Sequence, residues 1–224
     1  MKIHCISDLH GSYPELEGGD LLIVAGDLTA RDKAHEYVAF NNWLTQQKYD
    51  RKIVIGGNHD GLVEKGVDVQ ISEGNTRCVV PILADRTTYL QDSSCDYKGL
   101  KIYGSPWTPT FYNWHFMKNR GADIKEMWDL IPEDIDILVT HGPPFGILDQ
   151  VKYSNKAQDG KFAGCEELRT AIERIQPKLH VFGHVHEGYG KLILKCTPRD
   201  VICVNASIMD EEYHPVNLPI RIEL

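Results

Sequence analysis

No stretch of this 224-residue sequence approaches the roughly 18 consecutive apolar residues that a membrane-crossing helix requires. The opening MKIHCISDLH holds only a short apolar segment that ends at Asp8, which does not fit a secretory leader. The expected compartment is the cytoplasm, with no membrane partner. Cysteine pairs are also missing. Cys5, Cys78, Cys95, Cys165, Cys196 and Cys203 include no Cys-x-x-Cys spacing, which argues against a disulfide framework and a four-cysteine zinc site. Cys5 and Cys203 lie inside apolar runs and read as small buried hydrophobes. Positive charge is short as well: 24 Lys and Arg against 32 Asp and Glu leave a net charge of −8. Without a basic stripe, a long nucleic-acid partner is not expected. A small phosphate ester at a metal centre is still compatible, because bound cations dominate the local field. No repeat, low-complexity tract or linker divides the chain, so one domain over 1–224 is expected. A homodimer is left open.

What is present is a set of short apolar runs with polar ends. KIHCI (2–6), DLLIVAG (20–26) and RKIVIGG (51–57) read as buried strands. Between Asp32 and Gln47, Ala34, Tyr37, Val38, Phe40 and Leu44 recur at helical spacing, with Asp32 a candidate N-cap. The stretch 61–86 has no clear pattern. TTYLQ and LKIYGS flank DSSCDYKG, which predicts a hairpin. A helix over 123–130 leads into DIDILVTHG (134–142), and CEELRTAIERIQP (165–177) predicts a helix closed by Pro177. KLHVFGH, KLILK, VICVNAS and PIRIEL supply late strands. This order predicts an α/β (or α+β) fold with two sheets packed together and helices outside.

Five of these runs end in residues that bind metals. They deliver Asp8 and His10 in SDLHG, Asp27 in GDL, Asn58, His59 and Asp60 in GGNHD, His141 in THGPP, and His184 and His186 in GHVH. Taken singly, each has a plain reading. Asp-x-His is weak, Gly-Asp is usually a turn, and Asn and Gly supply positive φ. His-x-His aims both rings to one side of an extended segment. Taken together they would converge beyond the carboxyl ends of neighbouring strands, where ligand sites of open α/β sheets gather.

This residue set suits two divalent cations sharing a carboxylate, since one Asp offers two oxygens with several lone pairs. Imidazole with carboxylate favours Mn, Fe or Zn over Ca or Mg, and Mn is the expectation. Two metals about 3.5–4 Å apart clamp both sides of an in-line displacement at phosphorus and acidify a bridging water into the nucleophile. Gly11, Gly26, Gly56, Gly57, Gly142 and Gly183 would permit the tight turns such a cluster needs.

The order D-x-H, G-D, G-N-H-D, H, G-H-x-H resembles the calcineurin-like metallophosphoesterase superfamily. The resemblance assigns Asp8, His10 and His186 to a first metal and Asn58, His141 and His184 to a second, with Asp27 bridging. It makes His59 the catalytic histidine, contacting the phosphoryl oxygens together with Asn58 and protonating the leaving group. Asp60 would accept the other His59 ring proton.

GSPWTPTFYNW, LIPEDIDILVTHGPPFGILD, PKLHVFGHVHEGYG and VNASIMDEEYHPVNLPI are similar to the metallophosphoesterase-domain-containing subfamily, associated with class III cyclic-nucleotide phosphodiesterases. That implies a four-layer α-β-β-α sandwich of two mixed sheets and activity on small phosphodiesters, with cyclic nucleotides the expected class. Some vertebrate members have glycine where His184 stands and are impaired; here every ligand position is filled. A phosphomonoesterase or protein phosphatase, a nuclease, and a non-catalytic metal-binding scaffold are the rival readings.

Outside the motifs, PWTPTFYNWHF (106–116) either pins a loop or walls a substrate cleft. QVKYSNKAQDGKF (150–162) reads as a polar surface loop whose Lys152, Lys156 and Lys161 could meet phosphate. His4, His35, His115, His180 and His214 fit no ligand position. Asp210, Glu211 and Glu212 read as a solvated turn.

Overall fold

The structure, a computed structural model, describes residues 1–64, 86–152 and 161–224, together with the backbone of a hairpin over 68–73 and 76–81. Lys156 and Cys78, and with them most of the 150–162 segment, fall outside the residues whose side chains are described.

Two sheets face each other. The first holds β1 (Lys2–Ile6), β2 (Gly19–Ala25), β3 (Tyr49–Ile55) and β4 (Thr87–Tyr89), all parallel, with the C-terminal β11 (Ile220–Glu223) antiparallel on the far side of β1. The second is built from β5 (Ser93–Tyr97), β6 (Leu100–Ser105), β7 (Ile137–Thr140), β8 (Leu179–Phe182), β9 (Gly190–Leu194) and β10 (Val201–Asn205). Its order is β9-β10-β8-β7-β6-β5, with the four inner strands parallel and both edges antiparallel.

Period-two alternation decides which way each side chain faces. Leu21, Ile23 and Ala25 of β2 point between the sheets, while Leu22 and Val24 point outward. In β7, Ile137 and Val139 face the inter-sheet core and Leu138 faces out. Each outer face is covered by helices. Helix α1 (Ala34–Gln46) lays Tyr37, Phe40 and Leu44, one face of a 3.6-residue period, on Leu22, Val24 and Val54. On the other side, α3 (Ala122–Asp129) and α4 (Glu166–Ile175) cover Leu138, Phe182 and Cys203 with Ile124, Trp128, Leu168, Ala171, Ile172 and Ile175. The result is the expected four-layer α-β-β-α sandwich. Each fully buried Leu, Ile or Phe in these three cores contributes about 1.5–3 kcal/mol of apolar transfer, so the strands are held chiefly from their faces.

Two local expectations change. DSSCDYKG is not a loop between TTYLQ and LKIYGS: its first part is β5 itself, and the hairpin turns at Lys98–Gly99 into β6. TTY instead joins β3 in the other sheet. The left-handed φ of Lys98 (48°) and Gly99 (78°) makes the two-residue turn that strand twist favours. Asp32 does not cap α1, which begins at Ala34. Glu36 closes that end by accepting the N–H groups of Ala30, Arg31 and Lys33, which frees Asp32 to accept from the Tyr37 hydroxyl and the Leu62 N–H of α2 (Gly61–Glu64).

The sheets are joined at one end. The Ser7 N–H donates to Ala206 O at 2.8 Å, and Ser7 O accepts from the Ile208 N–H at 3.0 Å. This seam carries the carboxyl ends of β1, β2, β3, β7 and β8 to one place.

Candidate metal centre

Four of the seven candidate ligands leave their strands through a left-handed turn. Asp8 (φ 55°), His10 (42°), Asp27 (52°) and His184 (69°) all hold left-handed backbone, which costs a non-glycine residue on the order of 1–3 kcal/mol. Strain at four such positions is the local signature of a built site. The glycines beside them answer a second demand, close approach. A Cβ on Gly183 would overlap Asp8 Oδ2 and Ser7 Oγ, and one on Gly26 would come within 2.5 Å of His141 Nδ1.

The side chains form two half-sites that share Asp27. Ligand atoms of Asp8, His10 and His186 lie within 4.8 Å of one another, as do those of Asp27, His141 and His184. His10 Nε2 is 3.6 Å from Asp27 Oδ2, and His141 Nε2 is 3.3 Å from Asp27 Oδ1, so each oxygen of Asp27 faces a different half-site. Asn58 Oδ1 reaches His141 Nε2 at 3.0 Å, which brings Asn58 into the second. All seven expected ligands are thus assembled in the expected two groups. His59 meets the cluster from the side: a ring nitrogen shares the 4.8 Å neighbourhood of His10 and Asp27.

The donors are aimed. His141 Nδ1 donates to Ala25 O and His186 Nδ1 to Asp210 O, each at 2.9 Å. A carbonyl only accepts, so both rings keep Nε2 for the interior. His10 Nε2 is buried with no hydrogen-bond partner among the described residues. Asp8 and Asp27 are 0% and 2% exposed. Burial would raise the Asp8 carboxyl, but the hydrogen bond and charge of His186 outweigh it and bring it to about 2. Burial likewise opposes ionisation of Asp27, yet His141 and His10 hold it well below the usual carboxylate range. In return, Asp27 outweighs burial at His141 and lifts it to about 9, whereas burial and the charge of His141 push His184 down to about 3. Two buried anions, an orphaned imidazole nitrogen and inward Nε2 atoms call for positive charge in both half-sites. Two divalent cations fit that demand.

His59 and Asp60 depart from the expected pairing. His59 Nδ1 donates to Ala30 O at 2.9 Å, and the Asp60 carboxylate does not meet the ring. Fully buried Asp60 instead accepts the N–H groups of Leu28, Thr29 and Gly57 at 2.9–3.0 Å, with the Thr29 hydroxyl at 3.0 Å. The reason is reach. Asp60 lies under the two loops, where backbone donors surround it, while the His59 ring turns up toward solvent. Burial and the charge of Asp27 raise Asp60 to about 7.

A cavity of about 770 Å³ opens above the half-sites. The 106–116 stretch does form its wall: Trp114 stacks on His59 at 4.4 Å, and Phe111 lies 5.1 Å from His184, while Phe116 is buried as the anchor. Lys152 and Lys161 line another side. His115 sits outside the cluster, against Asp32 and Glu64. Two features escape sequence reasoning. The Asp210–Glu212 tract is more than a solvated turn, since Asp210 O braces His186. Tyr213 lies against both His10 and His186, at 5.0 and 4.8 Å between ring centroids. The only available signal was an aromatic residue within an acidic turn.

Residues 1–188 match the family model for calcineurin-like phosphoesterases. The chain is 42% identical to human metallophosphoesterase domain-containing protein 1 over 98% of its own length and 70% of the relative's. It is 36% identical to a UPF0046 protein of Caenorhabditis elegans over all of this chain and 81% of that one. One solved structure shares the fold with a TM-score of 0.59 at 15% identity, covering 91% of this chain and 89% of that one. No helix among the described residues is long and apolar enough to cross a membrane. With the family model spanning most of the sequence, the chain belongs to the calcineurin-like phosphoesterases and is a metal-dependent phosphoester hydrolase.

Proposed function

We propose that the chain hydrolyses small phosphodiesters, with cyclic nucleotides the favoured class and Mn the favoured metal over Fe or Zn. The observation that carries this reading is Asp27, whose two oxygens face separate donor groups at the floor of one aromatic-walled cavity. Asp8, His10, Asp27 and His186 would hold one cation, and Asp27, Asn58, His141 and His184 the other. When bound, the pair supplies Lewis-acid polarisation of the phosphoryl oxygens and an acidified water.

The protein's own groups complete the site. With Nδ1 tied to Ala30 O, His59 presents Nε2 toward the phosphoryl group and the departing alkoxide. Asn58 is a further phosphoryl contact. Trp114 and Phe111 offer flat apolar surface on which a base can stack, and shield that region from water. A diester has two substituents to place, and the cavity extends from the aromatic wall to the lysine side. The cytoplasm is the compartment we assign to this activity, on the strength of five described cysteines that are all free.

The test compares bis-p-nitrophenyl phosphate with p-nitrophenyl phosphate, then cyclic with linear nucleotides, on Mn-loaded protein with His59→Ala as control. Preference for the diester and the cyclic nucleotide is expected, with the metals retained and turnover slowed in the variant. Faster monoester hydrolysis would sink the proposal. Fewer than two metals per chain with no hydrolysis would favour the scaffold.

A further inference from the structure

Tyr213 lies in the VNASIMDEEYHPVNLPI stretch but outside the five metal-binding motifs, yet the fold spends strain to present it. Its φ of 62° is left-handed, an unfavourable state for a bulky residue. The Asp210–His214 turn imposes that conformation: the Tyr213 N–H donates to Asp210 O at 3.1 Å, and the Asp210 carboxylate accepts the N–H groups of Glu212 and His214. Asp210 O is also the acceptor for His186 Nδ1. One carbonyl therefore sets both a candidate metal ligand and the tyrosine beside it.

The ring meets His10 and His186 edge-on, at interplanar angles of 66° and 77°. His59 meets His10 edge-on at 4.6 Å. Tyr213 is 56% exposed, lines the same cavity as His59, and its hydroxyl makes no hydrogen bond among the described residues. A strained aromatic residue with a free donor beside one half-site is a poor way to build a surface turn alone. It is a sound way to meet an anion.

We propose that Tyr213 is a substrate-contacting residue, its hydroxyl donating a hydrogen bond to a phosphoryl oxygen from the side of the first half-site while His59 does so from its own side. The inference rests on the phosphoester reading above and deepens it. No bond is made or broken by the tyrosine; it adds a neutral donor where negative charge collects, and its edge keeps the His10 and His186 rings in place.

The experiment uses Tyr213→Phe in the Mn-loaded full chain. Inorganic phosphate affinity is measured by calorimetry, kcat and KM on bis-p-nitrophenyl phosphate, metal content by atomic emission, and Tm by scanning calorimetry. A hydrogen bond to a charged group predicts about a tenfold loss in phosphate affinity and in kcat/KM, with metal content and Tm as in the wild type. Unchanged phosphate affinity and kcat/KM in Tyr213→Phe would overturn the inference. So would activity lost only in Tyr213→Leu, and only in proportion to lost metal, because the ring would then be mere packing. Phosphate binding does not depend on ester preference, so a chain that preferred monoesters would refute the phosphodiester proposal and leave this test intact.

Discussion

Both carboxylate oxygens of Asp8 lie 3.0 Å from the backbone N–H of His184, across 176 residues of sequence. The first motif of the chain thus holds the last one by its backbone. In this way a carboxylate of one half-site helps to place an imidazole of the other, and the two sheets are joined through it.

His184→Gly should separate stability from activity. Glycine adopts φ 69° without strain, so the metal-free variant is expected to be as stable as the parent, or more stable by about 1 kcal/mol. Loss of the imidazole should weaken the second half-site by at least the roughly 10- to 100-fold that outer hydrogen-bond partners cost. Denaturant titration of the metal-free protein and elemental analysis of the loaded protein check the two halves. Wild-type metal content and turnover would contradict the assignment of His184.

Gly183→Ala should damage the first half-site without replacing a ligand. The added methyl meets Asp8 Oδ2 and Ser7 Oγ, neither of which has room to retreat from the seam between the sheets. A destabilisation of about 1–3 kcal/mol is expected, as for other overpacked interiors, together with reduced metal content. Unaltered stability in a urea titration would show that the seam is looser than these contacts imply.

Asp60→Asn tests a carboxylate that binds the Asp27 and Asn58 loops together. An amide cannot accept on both sides, so at least one buried N–H loses its partner, at a cost of about 1–3 kcal/mol. Turnover should fall with it, since Asp27 and His59 are carried on those loops. If the variant matched the wild type in urea midpoint, the buried hydrogen bonds of Asp60 would have to be reassigned.

His180 predicts an acid-side loss of stability. It is fully buried, shares a 2.8 Å hydrogen bond with Thr140 Oγ1, and is pushed by burial from the ordinary 6.5 down to about 3. The unfolded chain therefore binds a proton that the folded chain refuses. The contribution is complete above about pH 6.5 and is lost as pH falls toward 3, by about 1.4 kcal/mol per unit. Comparing wild type with His180→Gln by urea titration from pH 7 to 4 isolates it: the difference in stability should change with pH. A constant difference would refute the buried neutral ring.

Much of this was legible in the sequence, for reasons that differ by residue. Leu21 to Ala25 and Ile137 to Val139 announced buried strands because a strand covered on both faces must be apolar throughout. Asp8, His10, Asp27, Asn58, His141, His184 and His186 stood out because each follows such a run. DSSCDY did not announce itself as β5: it is an edge strand with two exposed serines, and exposure erases the apolar signal. Asp60 meets backbone N–H groups rather than the His59 ring, because a motif resemblance says nothing about which buried N–H groups lie nearer in space. Tyr213 was invisible, since its contacts with His10 and His186 join residues more than two hundred and about thirty positions away.

By itself the sequence determined the layers, the strand ends and the candidate metal-binding side chains, because apolar runs and residue chemistry are local properties of the chain. Tertiary structure alone decided that Asp27 turns one oxygen to each half-site, that Asp60 binds loops rather than an imidazole, and that Tyr213 reaches the cavity. Those facts depend on two separately built sheets meeting at the Ser7–Ala206 seam, and distances across such a meeting are set by packing, not by spacing along the chain.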